Sequence, residues 1–458
     1  MVQLIHEQDD RRRVMPNRKI ADSALPHGKP QTLRFIDLFC GCGGFTLGML
    51  RSGMKCLAAI DFDQKAIETL NSNLAGGSKT GLPPVKHALV RDLKTYSPEE
   101  LASLIGTKHV EVIVGGPPCQ GFSTARQVDG ANHGERLKSD LRRHLYRKFL
   151  QYVDYFQPQV FVMENVLGLR TAAGGEYFTR VQHEARTLGV RSGRPGYRVH
   201  AQIEDARELG VPQKRKRQLI IGVRNDISGY FPAELKCAAR GKPFTKLGDA
   251  IGDLPPLRAG GGQDEAEYDL AKRQRNLRAR GPLARKYLQS VLQVGSCEVL
   301  TGHVARPHNE RDLRDFALIR EGENSDVAMR VRGITFEYPY DKTSFKDRYT
   351  RQSRNDYCST IVAHLSKDGL MFIHPTQQRT LTPREAARIQ SFPDWFAFPS
   401  ARTHAFRLIG NAVPPLIAEA VGDAVLDFLC NDVRFVNGTY LIRSMRLGTL
   451  IRHSMTHG

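Results

Sequence analysis

Between Arg34 and Arg224 short apolar runs alternate with helix-patterned segments, and this rhythm constrains the fold more than any other feature of the 458 residues. Arg34 to Phe39 reads as a strand, Gly43 to Leu50 opens a helix, Cys56 to Ile60 is a second strand and Gln64 to Leu74 a second helix. Val110 to Val114, Gln159 to Met163 and Gln218 to Val223 add three apolar strands. Near-continuous apolar strands need cover on both faces, which a mostly parallel sheet flanked by helices supplies. The expected fold class is α/β, with chemistry at the sheet edge where strands end.

Beyond Arg224 the rhythm breaks at Pro255-Pro256 and Gly260-Gly261-Gly262. The expected organisation is a flexible basic arm over 1–33, a large domain over 34–224 and a smaller domain over 225–403. A segment over 404–430, containing the amphipathic run Pro415 to Leu429, returns to the large domain, and 431–458 forms an extension. No window approaches a membrane-spanning apolar run, and the N-terminus reads as polar and basic rather than as a leader. Eight cysteines are too sparse for a disulfide framework. The reading is a cytoplasmic monomer without a membrane partner. A net charge of +19 points to a polyanion, because neutralising phosphates releases counterions. The stretch Lys272, Arg273, Arg275, Arg278, Arg280, Arg285, Lys286 is a candidate phosphate-contacting surface.

The run Phe35-Ile36-Asp37-Leu38-Phe39-Cys40-Gly41-Cys42-Gly43-Gly44-Phe45 ends a strand and opens a helix. Its glycines let backbone pass close to a ligand. Asp61, after the second strand, is placed to accept hydrogen bonds from ribose hydroxyls, and Asp92 to receive an adenine amino group. The chain offers no P-loop lysine or pyrophosphate cradle here, which favours S-adenosylmethionine over NAD or ATP. Cys40 and Cys42 lack the partners a metal site needs, so no metal is expected.

Gly115-Gly116-Pro117-Pro118-Cys119-Gln120-Gly121-Phe122-Ser123 follows a strand and holds a thiol in a stiff loop. The next strand delivers Glu164-Asn165-Val166 to the same edge. A thiolate and an acid at adjacent strand tips suit addition to an electron-poor ring: sulfur adds at cytosine C6, the acid assists at N3, and C5 becomes nucleophilic enough to take a methyl group. In Gln213-Lys214-Arg215-Lys216-Arg217, extended backbone would turn Arg215 and Arg217 toward one partner.

These motifs, with Gly410-Asn411-Ala412-Val413-Pro414-Pro415 and the helix-like Thr380 to Arg388, occur in an order that resembles the DNA cytosine-5 methyltransferases, bacterial modification enzymes in particular. The resemblance covers about 34–224 and 379–428. It implies a Rossmann-like domain that binds S-adenosylmethionine, a smaller target-recognition domain, and double-stranded DNA whose target base is flipped into the large-domain pocket. Cys119 would be the nucleophile, Glu164 the acid at N3, Arg217 the contact to cytosine O2 and Arg215 a supporting arginine, while Asn165 steadies the catalytic loop. Phe39, Gly41, Gly43, Asp61 and Asp92 fall on cofactor motifs, as do Asn411 and Val413 on the closing motif. Cys40 and Cys42 stand where many members carry alanine and isoleucine. A transfer-RNA methyltransferase remains the alternative, disfavoured because 225–378 leaves room for a duplex-reading domain. A separately encoded restriction endonuclease is compatible with this reading but leaves no trace in the chain.

Overall fold

The computed structural model describes residues 32–77, 80–118, 145–229, 231–235, 244–338, 349–430, 432–436, 439–443 and 450–454. Its centre is a seven-stranded sheet in the order β3-β2-β1-β4-β5-β7-β6. The strands are β1 (Arg34–Leu38), β2 (Lys55–Asp61), β3 (Ala88–Val90), β4 (Val112–Gly115), β5 (Val160–Asn165), β6 (Tyr197–Asp205) and β7 (Lys216–Arg224). β1 to β5 pair in parallel, whereas β7 runs antiparallel to both β5 and β6. The central strands are buried throughout, as a sheet covered on both faces requires.

Helices α1 (Gly44–Arg51), α2 (Gln64–Leu74), α3 (Pro98–Ile105), α4 (Leu145–Phe156) and α5 (Glu176–Arg186) connect these strands. α2 starts where the Asp63 carboxylate accepts the Lys65 and Ala66 amides, and α3 starts with a Ser97/Glu100 capping box.

Register explains where a site can form. Leu38 pairs with both Ile60 and Gly115, and Gly115 pairs with Met163, so β1, β2, β4 and β5 finish nearly level. The strand order reverses between β1 and β4, the switch point at which open α/β sheets bind ligands. Because β7 is antiparallel, its first residues reach the same edge: Gln218 faces Asn165 and Arg217 faces Glu204. Two details differ from the sequence reading. Glu164 and Asn165 belong to β5 itself, and β6 was not anticipated, because its half-exposed residues Tyr-Arg-Val-His-Ala-Gln-Ile-Glu-Asp carry no apolar run.

The remaining described chain contains α6 (Leu270–Arg278), α7 (Glu310–Leu318), α8 (Ser325–Arg332), α9 (Pro383–Ile389), α10 (Arg402–Asn411) and α11 (Pro415–Cys430). β8 (Gly262–Glu267) and β9 (Val299–Val304) form an antiparallel pair, and Phe316, Ile319, Ala328, Phe336, Tyr349, Leu370 and Ile373 make a small core of their own. α11 lies against α1, where a Cβ on Gly48 would come within 2.4 Å of both the Ala418 Cβ and the Pro415 carbonyl. β10 (Asp432–Val436), β11 (Thr439–Arg443) and β12 (Leu450–Ser454) form a three-stranded antiparallel meander.

Candidate active site

After β1 the backbone turns through left-handed conformations at Phe39 (φ 60°), Gly41 (φ 55°) and Gly43 (φ 90°) before α1 begins. Such angles favour glycine, and at Phe39 they mark a strained residue held by its surroundings. The turn is pinned to β2: the Cys40 amide donates to the Ile60 carbonyl at 3.0 Å, and the Gly41 amide to Asp61 Oδ2 at 2.9 Å. Asp61 Oδ1 accepts the Asp63 amide at 2.9 Å. Burial pushes the Asp61 carboxyl up, and these two amides pull it back.

Asp37 is fully buried beneath the turn. The Thr46 hydroxyl donates to its Oδ2 at 2.6 Å, while Oδ1 has no hydrogen-bond partner among the described residues. Burial pushes this carboxyl up to about 7, with the Thr46 hydrogen bond opposing. Beyond Gly41 the space is open, since a Cβ there would meet nothing within 4 Å. An orphaned buried carboxylate oxygen, an open glycine turn and a carboxylate at the β2 tip fit a nucleoside cofactor with a cationic amino-acid tail. The Arg91 amide donates to the Asp61 carbonyl at 2.9 Å, which brings the exposed Asp92 beside the same edge. Phe62, which no apolar pattern in the sequence singles out, is 66% exposed next to Asp61. An aromatic ring directly after the acid was the available signal.

From the other side the Val413 carbonyl occupies the space that a Cβ on Gly44 would need, 2.3 Å away. Asn411, exposed, ends α10, and Val413 is half-buried between α10 and α11. Cys40 and Cys42 are buried thiols directed at the Gly41 and Leu408 carbonyls. Burial drives both thiols up, Cys42 to about 12, so neither is a thiolate near neutrality.

At the tip of β5 the Glu164 side chain, 9% exposed, pairs with Arg217, whose Nε lies 2.7 Å from Glu164 Oε1. Glu164 Oε2 faces the start of the loop that follows β4, 3.1 Å from where a Cβ on Gly116 would stand. Asn165 donates through Nδ2 to the Pro117 carbonyl at 3.2 Å, and its Oδ1 accepts the Val166 amide at 2.9 Å. Cys119 lies outside the described residues, which stop in this loop at Pro118. The structure therefore brings together Glu164, Asn165, Arg217 and the root of the loop that carries the thiol.

It parts the two arginines. Arg215 precedes β7 instead of extending it, so the alternation that would align it with Arg217 does not apply. Arg215 is 2% exposed, and its guanidinium donates to the Ile361 carbonyl at 2.8 Å and the Ala412 carbonyl at 3.0 Å. The basic stretch also divides. Arg273 is 3% exposed and packs inward, donating to the Cys297 carbonyl and to Asp394, whereas Arg275, Arg278 and Arg285 are exposed.

Comparison with known proteins agrees with this geometry. M.DdeI, a type II methyltransferase of Desulfomicrobium norvegicum, is 31% identical over 413 residues, covering 86% of this chain and 88% of that protein. M.XorII, a type II methyltransferase of Xanthomonas oryzae, is 31% identical over 409 residues, covering 86% and 84%. A solved structure described as a DNA modification methyltransferase encoded within an E. coli prophage shares the fold, with a TM-score of 0.63, 24% identity and coverage of 87% of this chain and all of that one. A family model for C-5 cytosine-specific DNA methylases matches residues 33–427. With nearly the whole described chain matched, the protein belongs to the C-5 cytosine-specific DNA methylases, enzymes that transfer a methyl group from S-adenosylmethionine to C5 of cytosine in DNA.

Proposed function

We propose that this chain methylates one cytosine within a specific duplex sequence, as a modification enzyme of the type II class to which its relatives are assigned by name. The observation that carries the site assignment is the Glu164–Arg217 pair at 2.7 Å, one strand away from the loop that leads to Cys119. Cys119 adds as thiolate to C6 of the flipped base, forming a carbon–sulfur bond. Glu164, protonated at the moment of attack, supplies a proton or hydrogen bond at N3, and Arg217 holds both the Glu164 carboxyl group and the base O2. S-adenosylmethionine, when bound, supplies an electrophilic sulfonium methyl group. With the cofactor bound, the enamine-like C5 would take the sulfonium methyl and leave S-adenosylhomocysteine; loss of the C5 proton to water would then expel the Cys119 sulfur as thiolate, and return of the N3 proton to Glu164 would restore the aromatic base. Asn165, through the Pro117 carbonyl, steadies the root of the loop.

For the cofactor, Phe39, Gly41 and Gly43 shape the turn, Asp61 accepts the ribose hydroxyls, Asp92 meets the adenine amino group, and the exposed Phe62 ring stacks on the adenine face. Asn411 and Val413 close the pocket from the α10 side. We assign target recognition to 225–403 and closure of the large domain to 404–430, with the enzyme acting as a cytoplasmic monomer. Among the described residues no helix is long and apolar enough to cross a membrane.

Incubation with labelled S-adenosylmethionine and mixed-sequence duplex DNA should yield 5-methylcytosine at one motif by base-resolution mapping, and parallel transfer-RNA reactions should stay unlabelled. Cys119→Ser should bind both ligands yet form no product. Ordinary turnover by that variant would exclude the covalent route.

A further inference from the structure

Gln213, Arg215 and Gln390 are buried polar side chains that the methyl-transfer steps leave without a task. Gln213 Oε1 accepts the Ile361 amide at 3.0 Å, and its Nε2 donates to Gln390 Oε1 at 2.6 Å and to the Ile389 carbonyl at 3.2 Å. Gln390 in turn donates to the carbonyls of Ile409 at 2.6 Å and Ala412 at 3.4 Å. Arg215 reaches the Ile361 and Ala412 carbonyls. Four segments distant in sequence thus meet at two backbone positions, Ile361 and Ala412, and the Ala412 carbonyl accepts from both Arg215 and Gln390.

That convergence leads into the cofactor turn. Val413 directly follows Ala412, and its carbonyl presses on Gly44, the first residue of α1. In the opposite direction Arg217, two residues from Arg215, holds Glu164. We infer that Gln213, Arg215 and Gln390 form a positioning node that seats Ala412 and Val413 against Gly44 and so sets the cofactor turn. Arg215 governs cofactor affinity, whereas Arg217 serves the base. This rests on residues 39–44 being the cofactor cradle.

A planar guanidinium spans two carbonyls that a single ammonium cannot hold together, which makes Arg215→Lys the informative variant. Binding of S-adenosylhomocysteine to the full-length protein is measured by calorimetry, and steady-state kinetics are run on duplex DNA. Arg215→Lys weakens binding about tenfold, the scale of one lost hydrogen bond from a charged group, and raises KM for S-adenosylmethionine while kcat at saturating cofactor falls much less. Arg217→Lys shows the reverse split, with kcat lost and cofactor affinity kept. Gln390→Met shifts affinity in the same direction but less, because the Arg215 bond to Ala412 survives. If Arg215→Lys binds S-adenosylhomocysteine like the wild type and loses kcat as Arg217→Lys does, the node is wrong and Arg215 belongs to the base pocket. Should Arg215→Lys fail to fold, Gln390→Met decides alone, and unchanged affinity there overturns the proposal. A wild-type protein that bound no S-adenosylhomocysteine would instead count against the cradle itself.

Discussion

Glu164 and Arg217 form an ion pair at the edge of the sheet, in the proposed catalytic site. Each is nearly buried, and at 2.7 Å each offsets the other's desolvation, so removing either leaves a poorly solvated partner. Glu164→Gln preserves shape and one hydrogen-bonding oxygen but cannot deliver a proton. Turnover should drop by roughly 10²–10⁴, the usual worth of a positioned acid, with DNA and cofactor affinities close to wild type. Single-turnover kinetics alongside equilibrium binding checks this, and a parallel loss of binding would make Glu164 a structural residue. Both residues stand out in the sequence as candidates, because the carboxylate follows one apolar strand and the arginine precedes another. Their direct pairing does not, since it depends on β7 running antiparallel to β5 and carrying Arg217 back to the shared edge.

At the scale of elements, α9 is the clearest case of a helix whose sequence misleads. Thr382, Pro383 and Glu385 announce its start, and the structure forms that capping box with proline in the first turn. Arg384 and Arg388, of a residue type that is mostly exposed, are both fully buried. Arg388 pairs with Asp253 at 2.6 Å and with Asp394 at 2.6 Å, and Arg384 donates to the Thr301, Pro393 and Phe396 carbonyls. Glu385 is held well below the usual carboxylate range: burial pushes it up, but Arg379 at 2.7 Å overrides that.

Two histidines in this region are held neutral. Burial lowers His374 to about 4 against the pull of Glu385, and lowers His308 to about 4 against Asp312. A histidine whose folded pKa lies below its unfolded value near 6.5 contributes fully above that value and progressively less as pH falls toward the folded one. The unfolding free energy from urea titrations should therefore fall between pH 7 and pH 5, by on the order of 1–2 kcal/mol per histidine. His374→Gln should shrink the fall; an unchanged pH dependence in that variant would show that His374 titrates normally.

For the whole molecule, the charge of +19 anticipated a polyanionic partner without telling surface from core. Arg215, Arg273, Arg351, Arg379, Arg384 and Arg388 are all buried, so part of the positive charge is structural. Of the 272–286 stretch, Lys286 is exposed, and so are the three arginines Arg275, Arg278 and Arg285. If they meet phosphates, replacing each with glutamine should lower the steepness of log K against log salt by about 0.9, with sequence preference retained. A slope unchanged in the triple variant would remove this face from the DNA footprint.

The sequence by itself determined the α/β class, the order of the motifs and which residue types stand at the strand ends, because strand burial and tight turns impose local patterns that survive without knowledge of partners. Tertiary structure decided which of those residues meet. Arg215 and Arg217 are separated only by Lys216, yet one donates to the Ile361 and Ala412 carbonyls and the other to Glu164. Local spacing reports the direction a side chain leaves the backbone. What it finds there depends on segments far along the chain, and on the desolvation and hydrogen bonding that only their packing creates.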